Sequence, residues 1–312
     1  MVQVTRTTPA LRLPTGAPPG DTTLRWVEEC LGKGAEVRMV RPLGGAAHAN
    51  HALVVESRSG SAHRLVLRRW TSGEPDPAHR PHGTEFSPER EIAALALLAA
   101  SEIPTPALVA ADPAGARCDV PALLITRLSG HPPRPSPDDL PEYLIQLAAA
   151  LLSVHTLNGA ATMPPYVPYN RLDQRCPPKH AHRPDLWERA FEVAARPAPE
   201  APVRFIHRDY HADNTLWSYG KLTGVVDWSD ASSGPIAVDI AHMRRGLALR
   251  YGTSVADRFL RSFDQVSGGH PHDPYWDVRS LLDLLPEDHS SVIDEAHVPL
   301  YEDYLSKLLA DC

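Results

Sequence analysis

The chain has 312 residues, 43% of them hydrophobic and 22% charged, which supports one large domain or two lobes of ordinary size and excludes wholesale disorder. No apolar run approaches the roughly 18–20 residues of a spanning helix, and residues 1–20 lack the apolar core of a secretory signal. The net charge is −7, and residues 251–312 hold 12 Asp or Glu against 4 Lys or Arg, the opposite of the basic face a nucleic-acid binder presents.

In chain order, residues 1–20 read as a flexible leader. Asp21 to Leu31 reads as a helix stopped by Gly32 and Gly34. Three β-type segments follow, Val37 to Leu43, Asn50 to Glu56 and Arg64 to Trp70, joined by glycine-containing turns as in an antiparallel meander. Ser87-Pro88-Glu89-Arg90-Glu91 combines an N-cap, a first-turn proline and acids placed for the helix dipole, so a helix is expected to about Ala100. Strands at Leu108 to Ala111 and Ala122 to Arg127 flank the turn Asp112-Pro113-Ala114-Gly115. The first lobe is therefore expected over 21–127, as five antiparallel strands with one internal helix.

Beyond Gly130 the pattern changes. The 32 prolines gather in loops such as Pro132 to Pro141 and Pro164 to Pro184, and Asp138 to Leu157 reads as a long amphipathic helix. Strands return at Arg204 to His207, Asn214 to Trp217 and Leu222 to Trp228, and the remainder reads helical. The fold class is α+β, a β-rich lobe followed by a larger, mainly helical lobe over 128–312. Cys30, Cys118, Cys176 and Cys312 form no C-x-x-C pair and have no His at ligand spacing, which points to a reducing compartment, the cytoplasm, and away from structural zinc.

The stretch Phe205-Ile206-His207-Arg208-Asp209-Tyr210-His211-Ala212-Asp213-Asn214 carries the chemistry. An apolar strand ends in a polar loop, Asn214 lies five residues after Asp209, and a later strand delivers Asp227 thirteen residues further on. An amide and a carboxylate suit Mg²⁺, a hard cation that takes oxygen ligands, and a second carboxylate can orient an attacking hydroxyl and accept its proton. This order, H-x-D-x-x-x-x-N and then a metal-binding Asp, is that of phosphoryl transfer.

Here the chain resembles the aminoglycoside phosphotransferase family, small-molecule relatives of the protein kinases, over roughly residues 36–310. Asp227-Trp228 matches the family's second metal motif, and Asp239 in Gly234-Pro235-Ile236-Ala237-Val238-Asp239 matches its Asp at the start of the next helix. The resemblance implies a bilobal protein-kinase-like fold, with Asp209 as catalytic base, Asn214 and Asp227 as Mg²⁺ ligands, and His207 and Asp239 as scaffold of the catalytic loop. It also implies a phosphate-covering turn at Gly44-Gly45, adenine packing on Val66, a phosphate-binding cation at Arg68 with Glu91 as its ion-pair partner, and a hinge at Thr126-Arg127-Leu128. Arg68 stands where protein kinases use Lys; it keeps its charge and binds phosphate through two donors. ATP and GTP are both compatible with these residues.

The expected acceptor is a small molecule, with no nucleic-acid or membrane partner. The acidic C-terminal segment suggests a cationic one, since carboxylates around a cleft concentrate cations; the candidates are Asp230, Asp273, Asp277, Asp283, Glu287 and Asp288. A plain acidic surface explains the same residues. The functional expectation is a Mg²⁺-dependent O-kinase, either inactivating an antibiotic or phosphorylating a metabolite of the choline, homoserine or thio-sugar type. A nucleotide-binding pseudokinase is the alternative from another class.

Overall fold

The computed structural model describes residues 16–44, 48–70, 88–173, 175–285 and 293–312. The chain forms two compact units, Met1–Asp76 with Ala107–Arg127 and Pro77–Pro106 with Leu128–Cys312. The first unit ends at Arg127, and residues 88–98 group with the second.

In the first unit, α1 (Asp21–Cys30) precedes β1 (Glu36–Pro42), β2 (Ala49–Glu56) and β3 (Ala62–Arg69), and β4 (Leu108–Asp112) and β5 (Ala122–Thr126) complete the sheet. The five strands are antiparallel in the order β1-β2-β3-β5-β4. Alternation decides what faces where. Leu53 and Val55 of β2 and Leu65 and Leu67 of β3 bury one face against Trp26 and Val27 of α1, with Cys118 and Leu124 in the same cluster. Val66 and Arg68 therefore take the other face, opposite Ala52 and Asn50 of β2 and Ile125 and Leu123 of β5. Fully buried Arg69 is paid with charge, its Nη1 donating to Asp119 Oδ2 at 2.6 Å. Asp112 folds the β4–β5 turn by accepting the backbone N–H groups of Ala116, Arg117 and Cys118 at 2.8–2.9 Å.

The second unit contains α2 (Pro88–Leu98), α3 (Leu140–His155), α4 (Pro184–Ala194), α5 (Ala237–Tyr251), α6 (Thr253–Ser267), α7 (Pro274–Leu282) and α8 (Val298–Ala310). Two short antiparallel pairs position its loops: β6 (Val203–Ile206) with β9 (Ser232–Pro235), and β7 (Thr215–Ser218) with β8 (Lys221–Val225). The segment Ser232-Ser233-Gly234-Pro235 carries no strand signal of its own. It pairs because Gly234 lets the backbone lie against Tyr166; a Cβ there would meet Tyr166 Cβ at 2.5 Å.

Leu144, Leu147, Leu151 and Val154 give α3 one apolar face at helical spacing. By contrast, α5 is buried almost all round, including Asp239, His242, Arg244 and Arg245. Charged groups so placed need partners, and those partners build the site.

Candidate active site

β6 ends at Ile206, and the next residues turn sharply: Arg208 has φ +70°, a left-handed conformation unfavourable for a side-chain-bearing residue. The turn is held by one carboxylate. Asp239 Oδ2 accepts the backbone N–H of His207 at 2.9 Å, and Oδ1 accepts that of Arg208 at 2.6 Å. His155 of α3 reaches the same carboxylate, Nε2 to Oδ2 at 3.0 Å. The His207 ring spans to the Val226 carbonyl at 3.0 Å, linking the loop to the chain just before Asp227. His207 and Asp239 thus brace the loop and stand away from its open side.

Asp209 follows, its side chain about one-third exposed. Asn214 Nδ2 donates to the Asp209 carbonyl at 3.0 Å and to Oδ2 at 3.1 Å. The amide nitrogen is thereby committed inward, and the amide oxygen remains as a ligand atom. Val226 N donates to Asn214 O at 2.9 Å, which sets the chain just before Asp227 beside Asn214. Asp227 also takes a left-handed φ of +66°, and Ser229 Oγ donates to its Oδ1 at 2.9 Å. An amide oxygen and a carboxylate fit Mg²⁺, which is usually held by one or two protein oxygens, water and substrate phosphates.

Two histidines attend Asp209. His211 Nε2 lies 3.5 Å from Oδ2 and His242 Nε2 lies 3.1 Å from Oδ1. Burial favours the neutral acid, but the hydrogen bonds from His211 and His242 outweigh it and hold the Asp209 carboxyl well below the usual range. For His242, burial and then the charge of Arg245 push the imidazole down to about 4, so it is neutral at pH 7. Arg245 Nη2 lies 2.6 Å from His242 Nε2, while its Nη1 donates to Ser280 O at 2.5 Å and Ser280 Oγ at 3.1 Å.

The sequence pointed to Asp209, Asn214, Asp227, His207 and Asp239, and the structure gathers these five. His242, Arg245 and Ser280 escaped it. Arg244 and Arg245 are both buried, Arg244 Nε 3.0 Å from Asp277 and Arg245 beside His242. The available signal was two arginines and a histidine one helical turn after the scaffold Asp.

The nucleotide-side candidates lie elsewhere in the chain. Gly44 follows β1 with φ +77°, Val66 and Arg68 are on β3, and Thr126 closes β5, its Oγ1 accepting Ala107 N–H at 2.8 Å. Arg68 is in the first unit and Glu91, buried on α2, in the second. Leu128 packs over Gly224, where a Cβ would meet its Cδ1 at 2.6 Å. Gly45, Glu287 and Asp288 lie outside the described residues.

The other acidic candidates have structural employment. Asp273 caps α7 by accepting Tyr275 N–H at 2.8 Å. Asp277 is buried with Arg244, with His272 Nε2 at 2.8 Å and with Tyr304. Asp230 is buried just after the Asp227 turn.

A sheet-bearing unit, a helical unit and a braced Asp–Asn–Asp loop define a phosphotransferase of the kinase-like kind. The model of the APH phosphotransferase enzyme family matches residues 40–287, and the chain belongs to that family. Its structure is similar to that of an aminoglycoside-3'-phosphotransferase of type VIII, at 19% identity and TM-score 0.54 over 85% of this chain and 98% of that one. It is also similar to a thermostable mutant of the aminoglycoside phosphotransferase APH(4)-Ia in a ternary complex with ADP and hygromycin B, at 16% identity and TM-score 0.61 over 93% and 98% of the two chains. A macrolide 2'-phosphotransferase, MphH from Brachybacterium faecium, gives 16% identity and TM-score 0.54 over 89% of each chain. These likenesses establish the α+β, protein-kinase-like fold. No curated protein matches the sequence.

Proposed function

We propose that the protein is a Mg²⁺-dependent O-phosphotransferase that moves the γ-phosphoryl group of a nucleoside triphosphate to a hydroxyl of a small molecule. The observation that carries this reading is the coupling of Asn214 to Asp209 through its amide nitrogen and to the Asp227 segment through Val226. One residue, through its side-chain amide and its main-chain carbonyl, thereby links the residue that addresses the acceptor to the residues that address the cation.

In the reaction, the acceptor oxygen bonds to the γ-phosphorus while the bond from that phosphorus to the β–γ bridging oxygen breaks, and the nucleoside diphosphate leaves. Asp209 orients the acceptor hydroxyl and takes its proton on a carboxylate oxygen. Asn214 Oδ1 and Asp227 would hold Mg²⁺, which when bound neutralises phosphate charge. His207 and Asp239 fix the loop so that little reorganisation accompanies transfer. Val66 packs on the base, Arg68 binds phosphate, Gly44 allows backbone N–H groups to approach it, and the 126–128 segment offers backbone groups to the base edge. The neighbours named for ADP, hygromycin B and macrolides support this donor and acceptor chemistry, with antibiotic inactivation as one physiological form of it.

The test is nucleotide binding read by thermal stabilisation. AMP-PNP should stabilise the protein more with Mg²⁺ than without it, and Asp227→Ala should lose that increment while keeping its fold. Tight Mg²⁺-dependent binding by Asp227→Ala would overturn the assignment.

A further inference from the structure

The hairpin that joins β7 to β8 turns through two residues, Tyr219 and Gly220, both with left-handed φ, +48° and +71°. A turn of this kind favours Asn-Gly, because asparagine tolerates the left-handed region and a bulky side chain does not. Tyr219 is nevertheless an aromatic, and it is fully exposed. It buries nothing on its own chain, so folding does not account for it, and an unfavourable backbone held at an exposed aromatic points to use of the side chain.

The tip is firmly held all the same. Gln146 of α3 donates from Nε2 to the Gly220 carbonyl at 3.0 Å and accepts Leu222 N–H on Oε1 at 2.9 Å. His131 and Trp217 exchange backbone hydrogen bonds at 3.1 and 2.9 Å, which fixes the segment after Gly130 along β7. Every residue of Pro132-Pro133-Arg134-Pro135 is a proline or precedes one, which favours an extended backbone. Between this segment, the start of α3 and the hairpin lies an open groove of about 480 Å³, wholly within the second unit. Trp217 and Tyr143 line it, their rings 4.7 Å apart.

Charges ring this groove without all closing on one another. Arg134 is exposed and has no ion-pair or hydrogen-bond partner among the described residues. Asp139 Oδ2 accepts Ser136 Oγ at 2.6 Å, and Glu142 Oε1 accepts Gln146 Nε2 at 3.0 Å and Lys221 Nζ at 3.3 Å. Asp139 Oδ1 and Glu142 Oε2 accept nothing among the described residues, and both side chains reach the groove. An aromatic groove recognises an extended proline-rich strand, and carboxylates beside it select one that carries a cation. Here the strand with its cation and the groove with its carboxylates stand on one surface. The patch is therefore complementary to itself, which is the condition for an isologous two-fold contact.

We propose that this face is a self-association surface, on which two copies of the chain pack about a two-fold axis. Pro132 to Pro135 of each copy lies against Trp217 and Tyr219 of the other, and Arg134 of each meets Asp139 and Glu142 of the other. Tyr219 is the anchor of this contact, presented at low entropic cost because its backbone is already fixed.

The test is sedimentation velocity on the full chain from about 1 to 200 µM, where a dimer should form and dissociate on dilution. Tyr219→Asn suits the turn better than the native residue, so its Tm should hold or rise while the dimer dissociation constant increases at least about 10-fold. Arg134→Glu and Glu142→Arg should each associate weakly alone, since each sets like charges together at both ends of the two-fold contact. An equimolar mixture of the two should recover the wild-type affinity, because both ends then pair opposite charges. A monomer throughout that range, a dimer unaffected by Tyr219→Asn, or a mixture no tighter than its components would each overturn the inference. Stabilisation of a chain that stays monomeric by a synthetic Pro-Pro-Arg-Pro peptide would also overturn it, and would assign the groove to a foreign proline-rich partner.

Discussion

His242 Nε2 stands 3.1 Å from Asp209 Oδ1 and 2.6 Å from Arg245 Nη2. One ring nitrogen of a neutral imidazole either donates or accepts, so it serves one neighbour at a time. An ionised Asp209 needs a donor, and Arg245 has other acceptors in Ser280 O and Oγ, so Nε2–H serves Asp209 at the expense of the Arg245 contact, which as a hydrogen bond would need a bare ring nitrogen. The base of the proposed reaction is therefore supported from α5 as well as from its own loop.

That support sets a pH dependence. Asp209 works as a carboxylate, and its bonds to His211 and His242 depress its pKa against the effect of burial. His242→Ala removes one donor and leaves burial in place, so the pKa rises. The acid limb of kcat/KM should then move to higher pH, by on the order of one unit, with the alkaline side little changed. A pH–rate profile identical to wild type would rule out the support.

Asp209→Asn keeps the size of the side chain and removes its capacity to take a proton. Turnover should fall by roughly 10²–10⁴, and Mg²⁺·AMP-PNP should still stabilise the protein. Steady-state ADP release and thermal shifts, measured on one preparation, separate the two effects. Wild-type turnover by this variant would remove Asp209 from the chemistry.

Asp112 offers a stability prediction away from the site. Burial favours its protonation, but three backbone N–H donors outweigh this and lower its pKa. A depressed folded-state pKa contributes stability that is present above the unfolded value and is lost as pH falls through the folded one. Asp112→Asn should therefore cost about 1–3 kcal/mol at pH 7, and its urea-derived stability should fall less steeply than wild type as the pH drops below about 3.9, the value of an unperturbed Asp. Parallel curves would show that the carboxylate charge is not what holds the turn.

Gly234→Ala places a methyl group 2.5 Å from Tyr166 Cβ and 2.8 Å from Ile206 Cδ1. Either β9 parts from β6 or Tyr166 moves, at a cost of about 1–3 kcal/mol. Because Tyr166 also packs near Arg208 of the catalytic loop, turnover should fall together with stability. A variant of unchanged Tm would mean that the close approach relaxes freely.

The sequence by itself determined the strand–loop–strand order of the catalytic segment, the antiparallel meander of the first three strands and the long helices. These follow from local causes: alternation on β2 and β3, apolar spacing on α3, and oxygen-bearing side chains at fixed intervals along one loop. It also determined that the C-terminal segment is acidic. Tertiary structure alone decided what that acidity is for. Asp277 meets Arg244 and His272 inside the protein, and Asp273 meets the start of its own helix, so the charge count of the segment did not forecast where these carboxylates act. Likewise β9 exists because Gly234 fits against Tyr166, and Arg245 reaches His242 and Ser280 because α5 is enclosed on nearly every side. Spacing along a chain fixes which residues share a loop or a helix face. Which buried charges neutralise one another, and which are left to meet a ligand, depends on packing between segments far apart in sequence.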